Sequence, residues 1–122
     1  MKDRNITTLK HILKYCIEVN ETLNVYDNDK DEFLSNHIFR DSISMKILQI
    51  GELANHLTEE YIEGTINEMQ WYQIIGMRNH FAHGYSKMDM NRIWETATKH
   101  VPVLKEFCIK EINKLESLKS TE

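Results

Sequence analysis

The chain has 122 residues, a formal net charge of −4, one proline, four glycines and two cysteines. That length suits one domain around one core and excludes two substantial ones. The acidic balance excludes a general nucleic-acid coat protein, whose affinity rests on many Lys and Arg contacts to phosphate, but leaves room for a small enzyme that grips one or two phosphates locally.

Few residues punctuate turns, and the β-branched and aromatic residues do not alternate, so the sequence predicts an all-α domain over 1–118 with a disordered tail at 119–122. The first helix is predicted over about residues 4–25, with Asp3 as its N-cap and Ile6, Leu9, Leu13, Cys16, Ile17 and Leu23 as its apolar face. The polar run Asp27-Asn28-Asp29-Lys30-Asp31 is the first turn. A long second helix follows over about 32–57, weak near Ser35-Asn36-His37, with Phe39, Ile43, Ile47, Ile50, Leu53, Ala54 and Leu57 inward. Residues 58–67 form a short helical turn and a loop.

A third helix is predicted over about 68–82, burying Trp71, Ile74, Ile75, Phe81 and Met77 and ended by Gly84 in a left-handed conformation. Asp89 caps the last long helix, about 90–118, whose inward residues are Ile93, Trp94, Ala97, Val101, Leu104, Phe107, Cys108, Ile112 and Leu115. Pro102 lies inside it and kinks it, because it removes an amide donor and crowds the preceding turn.

The expected object is an up-and-down bundle of four main helices plus a short one. Phe33, Leu34, Ile38, Met45 and Met88 exceed what one small core needs, and a homodimer would bury such a surplus. Cys16 and Cys108 are expected as buried free thiols. No segment has the length and apolarity of a membrane span or a leader, so a cytoplasmic protein is expected.

The most informative segment is Arg78-Asn79-His80-Phe81-Ala82-His83-Gly84-Tyr85. It gathers a permanently charged guanidinium, two imidazoles and a phenol at a helix end. On an uninterrupted helix Arg78 and His83 would point roughly 140° apart. They converge only if the helix ends near His83 or if a second subunit brings its own copy across.

Such a set could cleave RNA by internal transfer. Histidine can take the 2′-hydroxyl proton or protonate the departing 5′-oxygen, and arginine suits the crowded phosphate oxygens. The blander alternatives are a salt-bridged arginine, a histidine capping helix carbonyls, and a packing tyrosine. His80 and His83 could supply half a zinc site, but no cysteine or carboxylate pair completes it at familiar spacing. Glu52 could buttress Arg78 or be a helix-surface carboxylate.

The ordered landmarks sharpen this reading. Arg78-Asn79, three residues, then His83 resembles the Arg–polar–x–His motif of the HEPN superfamily, and Arg, four residues, His, one residue, Tyr85 resembles the HepT group in particular. Ile50-Gly51-Glu52, Trp71-Tyr72-Gln73-Ile74-Ile75-Gly76-Met77-Arg78-Asn79, Trp94 and Val101-Pro102-x-Leu104 are similar to further landmarks of that group. The resemblance spans about residues 4–115. Gly84 departs from it, standing where many relatives carry a larger, often acidic residue, and Val101 replaces a leucine.

The resemblance implies a homodimeric, metal-independent endoribonuclease, the toxin of a type VII-like toxin–antitoxin pair. It implies Arg78 and His83 as catalytic residues at a dimer cleft, Asn79 as a supporting polar group, and no cofactor for the chain itself. The implied partner is a minimal nucleotidyltransferase antitoxin that uses ATP and Mg²⁺ to attach AMP to Tyr85, placing charge and bulk beside the RNA-binding cations. Two other readings stay open: a non-catalytic HEPN module that binds a nucleotide or supports a nucleotidyltransferase, and a purely structural helical dimer.

Overall fold

The computed structural model describes residues 2–82, 84 and 88–120. Every regular element among them is helical: α1 (Lys2–Val25), α2 (Lys30–Ser35), α3 (His37–Ala54), α4 (Glu59–Gly64), α5 (Trp71–Ala82), α6 (Met90–Glu95), a π-helical turn (Thr96–His100) and α7 (Val101–Ser120). Helix α1 lies between α3 and α7, and α3 lies between α1 and α5. No helix among the described residues is long and apolar enough to cross a membrane.

Helix α1 begins at Lys2, so Asp3 sits inside it and is not its cap. Its buried stripe is Leu9, Ile12, Cys16, Val19 and Leu23, whereas Ile17, predicted inward, is 40% exposed. The stripe follows positions three and four apart, and Ile17 falls one residue beyond Cys16, a rotation of about 100° toward solvent. The first turn is where the polar run predicts it. Asp27 and Asn28 both take positive φ, a conformation their short polar side chains tolerate better than most.

The predicted second helix is broken into α2 and α3. Asp29 Oδ1 accepts from the amides of Asp31 and Glu32 to start α2. Asn36 then leaves the helical path and accepts from the amides of Ile38 and Phe39 to start α3. The break turns Phe33 inward. It is fully buried, packed edge-on to Phe39 and tilted against Trp94, so it belongs to the core and not to an apolar surplus.

Helix α5 starts at Trp71, three residues later than its periodicity suggests, because Thr65–Gln70 is occupied in a turn that receives the indole. Trp71 is fully buried, donates from Nε1 to Thr65 Oγ1 at 2.8 Å and meets the Phe107 ring edge-on. The last helix is not one rod. Asp89 caps α6 as expected, accepting from the Asn91 amide, and the chain then widens into the π-helical turn just before Pro102. A wider turn gives the pyrrolidine ring room and absorbs the missing donor.

Among the described residues four long helices carry the bundle, with three short ones and a π turn between them where one short helix was expected. Helix α7 continues through Lys119 to Ser120, two residues past its expected end. Thr121 and Glu122 lie outside the described residues. Cys16 and Cys108 are buried free thiols.

Candidate active site

The site is built where α5 crosses α3. Ile50 is buried in the core and anchors the α3 side. Gly51 eases the close approach of the two helices: a Cβ there would lie 3.1 Å from Arg78 Cγ and 3.1 Å from the Ile74 carbonyl oxygen. Contacts that short are tighter than ordinary van der Waals separation, so a side chain at position 51 would oblige the Arg78 stem or the Ile74 carbonyl to give by a few tenths of an ångström. Glu52, next along α3, then reaches the Arg78 side chain, whose Nε donates to Oε1 at 2.9 Å.

This bond fixes the guanidinium by one edge. Among the described residues Nη1 and Nη2 have no protein partner, and these two donors suit a planar, bidentate acceptor such as a phosphate. The side chains of Arg78 and Glu52 are 35% and 43% exposed. The pair is therefore open to a ligand and partly screened by water. It orients Arg78 more than it stabilises the fold, since such pairs contribute about 0–1 kcal/mol.

Asn79, the next residue on α5, is exposed, and His80 and Phe81 are half-buried. Helix α5 ends at Ala82, and Gly84 has φ +100 with its amide donating to the Phe81 carbonyl. The predicted left-handed stop is therefore present at Gly84. His83 and Tyr85 lie outside the described residues. Among the described residues no group of three or more His, Cys, Asp or Glu side chains gathers at one point.

The sequence pattern of Ile50-Gly51-Glu52 and Arg78-Asn79 thus corresponds to one physical joint: an anchor, a close approach and a charged latch. The HepT-like family, described as Ribonuclease HepT-like, matches residues 12–111. The chain belongs to the HepT-like family. A protein of Caldanaerobacter subterraneus subsp. tengcongensis named "Putative RNase" is 36% identical over 107 residues, covering 85% of this chain and 89% of that protein.

A Methanocaldococcus jannaschii protein named "Gamma-glutamylcyclotransferase and putative RNase" is 28% identical over 116 residues, covering 93% of this chain. The chain spans 52% of that relative's length. A second Methanocaldococcus jannaschii protein named "Putative RNase" is 28% identical over 80 residues, covering 66% of this chain and 72% of its own. No solved structure gives a significant match. Family and relatives, at low identity, point to ribonuclease activity, and the all-helical architecture agrees with a HEPN fold.

What sequence reasoning missed at this joint is the role of Gly51. The motif names it, but only the 3.1 Å approach says why the position takes no side chain. Of the two roles open to Glu52 from sequence, the hydrogen bond to Arg78 Nε makes it the buttress.

Proposed function

We propose that this HepT-like chain is a metal-independent endoribonuclease that cleaves RNA by internal transfer. Arg78 binds the scissile phosphate through its outer fork, and His83 acts as the proton-transfer residue. One imidazole takes the 2′-hydroxyl proton as the 2′-oxygen attacks phosphorus. A protonated imidazole returns a proton to the departing 5′-oxygen, leaving a 2′,3′-cyclic phosphate and a 5′-hydroxyl. Asn79 supports the site as a neighbouring polar group. The observation that carries this reading is the Glu52–Arg78 latch: a guanidinium held through Nε, with no further partner among the described residues.

Two imidazoles in different protonation states are supplied most simply by a homodimer. In support, Ile38 and Met45 on α3 are 62% and 56% exposed. With Gln49 and Glu52 they recur seven, four and three residues apart, which sets them along one line of α3 that ends at the latch. A second copy laid on that line would bring its own site close to the first. In this scheme the protein is the toxin of a toxin–antitoxin pair, and an ATP- and Mg²⁺-using nucleotidyltransferase partner silences it by attaching AMP to Tyr85.

The test is cleavage of total RNA by purified parent, Arg78→Ala and His83→Ala, each checked for an unchanged melt. Loss of cleavage in both, by about 10²-fold or more, is the expected result. A His83→Ala protein that cuts as fast as the parent would remove the catalytic role. Tyr85→Phe should leave cleavage intact and abolish silencing.

A further inference from the structure

A cleft of about 660 Å³ lies between α3, α5, α6 with the π turn, and α7, beside the face of α5 that carries Arg78. It exists because α5 is pinned at its start by Trp71 against Phe107 of α7 and then packs along α3, leaving a gap to α6 and the π turn. Its floor is apolar: Ile47 and Ile50 of α3, Ile74 and Met77 of α5, and Leu104 of α7. Its rim is polar: Gln70, Gln73, Glu68, Arg92, Glu95 and His100. None of these six side chains has a hydrogen-bond or ion-pair partner among the described residues. Polar side chains thus surround an apolar floor, which is the usual make-up of a small-ligand site of this size.

We infer that this cleft takes a base of the RNA substrate, and favours bases that carry an exocyclic amino group. The inference rests on the ribonuclease reading above and adds a specificity site to it. Met77 and Arg78 are consecutive on α5 and so point about 100° apart. A strand whose phosphate lies on the Arg78 fork can turn a neighbouring base over the helix into the hollow.

The charge of the rim fixes which part of the nucleotide enters. Glu68 and Glu95 outweigh Arg92, so a phosphate is repelled from the interior. The Glu68 and Glu95 carboxylates only accept, so they suit the exocyclic amino groups of adenine, cytosine or guanine, whereas uracil offers them a single ring N–H. The apolar floor suits the base plane, as sequence-reading sites for single-stranded RNA generally require. Arg92 at the rim is exposed and would meet a flanking phosphate.

The test measures binding of short, uncleavable 2′-O-methyl oligonucleotides of A, C or U to the parent, Gln73→Trp and Glu95→Gln, with thermal melts confirming the fold. The parent should bind the A and C oligomers several-fold tighter than the U oligomer. Gln73→Trp, which fills the hollow with an indole, should weaken the A and C oligomers by about tenfold or more, the scale of one lost base contact. Glu95→Gln should narrow the gap between C and U.

Equal binding of all three oligomers by the parent, or unchanged affinity in Gln73→Trp, overturns the inference. Cleavage of ordinary RNA is measured alongside. A parent that binds with this preference and cuts nothing sinks the enzyme and keeps the base site. A parent that cuts RNA while Gln73→Trp changes neither affinity nor preference keeps the enzyme and sinks the base site.

Discussion

Gly51 and Arg78 are in contact across two helices: a methyl group at residue 51 would stand 3.1 Å from Arg78 Cγ. Gly51→Ala therefore sets two opposed effects against each other. Alanine gains about 1 kcal/mol of helix propensity over glycine, while overpacking costs about 1–3 kcal/mol. The net change in stability should be small, within about 2 kcal/mol. The Arg78 stem is the softer neighbour and the Ile74 carbonyl the harder one, so the guanidinium moves. We expect RNA cleavage to fall at least tenfold with a nearly unchanged melt, because misplacing a charge-stabilising group is costly. A Gly51→Ala enzyme with parental kcat/KM would show that the close approach does not position Arg78.

Glu52→Gln tests the latch itself. Glutamine keeps an acceptor oxygen for Arg78 Nε but removes the charge and weakens the hold. Because both partners are more than a third exposed, the stability change should stay below about 1 kcal/mol. Cleavage should drop several-fold in Glu52→Gln and further in Glu52→Ala, with partial recovery in Glu52→Asp. Binding of an uncleavable RNA should weaken in parallel. A Glu52→Ala protein with full cleavage would leave Arg78 positioned by other means.

Much of this architecture was readable from the chain, for identifiable reasons. Gly84 and Asp89 announce themselves because a left-handed stop and a helix cap are local, set by one residue and its neighbours. The break at Asn36 was only hinted at, since apolar spacing runs through it from Phe33 to Phe39 and only the two amides accepted by Asn36 reveal the restart. The π turn was not foreseen. Pro102 predicts strain in the preceding turn, but whether a helix kinks or widens depends on what packs around it. Ile17 is exposed although the spacing points it inward, because two adjacent apolar stripes fit the α1 pattern and only packing against α3 and α7 chooses between them.

Trp71 and Thr65 supply the next prediction. The indole N–H is buried and bonded to Thr65 Oγ1 at 2.8 Å, and the same hydroxyl donates to the Tyr61 carbonyl at 2.8 Å. Thr65→Val keeps the shape and removes both bonds, leaving a buried N–H without a partner at a cost of about 1–3 kcal/mol. Trp71→Ala should cost about 3–5 kcal/mol by opening a cavity and should also loosen the start of α5. Denaturant melts read both. A Thr65→Val protein as stable as the parent would mean that the indole finds another acceptor.

The exposed line on α3 makes a prediction for assembly. Ile38 and Met45 are more than half exposed in the single chain, so Ile38→Glu with Met45→Glu should alter the fold of one copy by less than about 0.5 kcal/mol per site. If a second copy covers that line, the double variant should sediment as a monomer and lose cleavage while keeping its melt. A variant that remains dimeric would move the interface off this line, and a parent that is monomeric and active would place the catalytic site within one chain.

The buried thiols set the behaviour at high pH. Burial pushes the Cys16 thiol up to about 12. It also raises Cys108, with Cys16 and Glu111 as further causes. Tyr61 is raised by burial and by its 2.7 Å hydrogen bond to Glu111. In each case the folded group holds its proton to higher pH than the unfolded one. Above about pH 9 the unfolded chain binds fewer protons, so the folding free energy falls as pH rises. For Cys16 the loss starts as unfolded thiols ionise and continues to about pH 12, at up to about 1.4 kcal/mol per pH unit for each fully buried thiol. Denaturant unfolding between pH 7 and pH 11 should show a flat region followed by this decline. Cys16→Ala starts less stable because of its cavity, but its decline should be shallower by the share of one thiol. A parent and a Cys16→Ala variant with parallel curves would mean that the Cys16 thiol ionises no later in the folded protein than in the unfolded one.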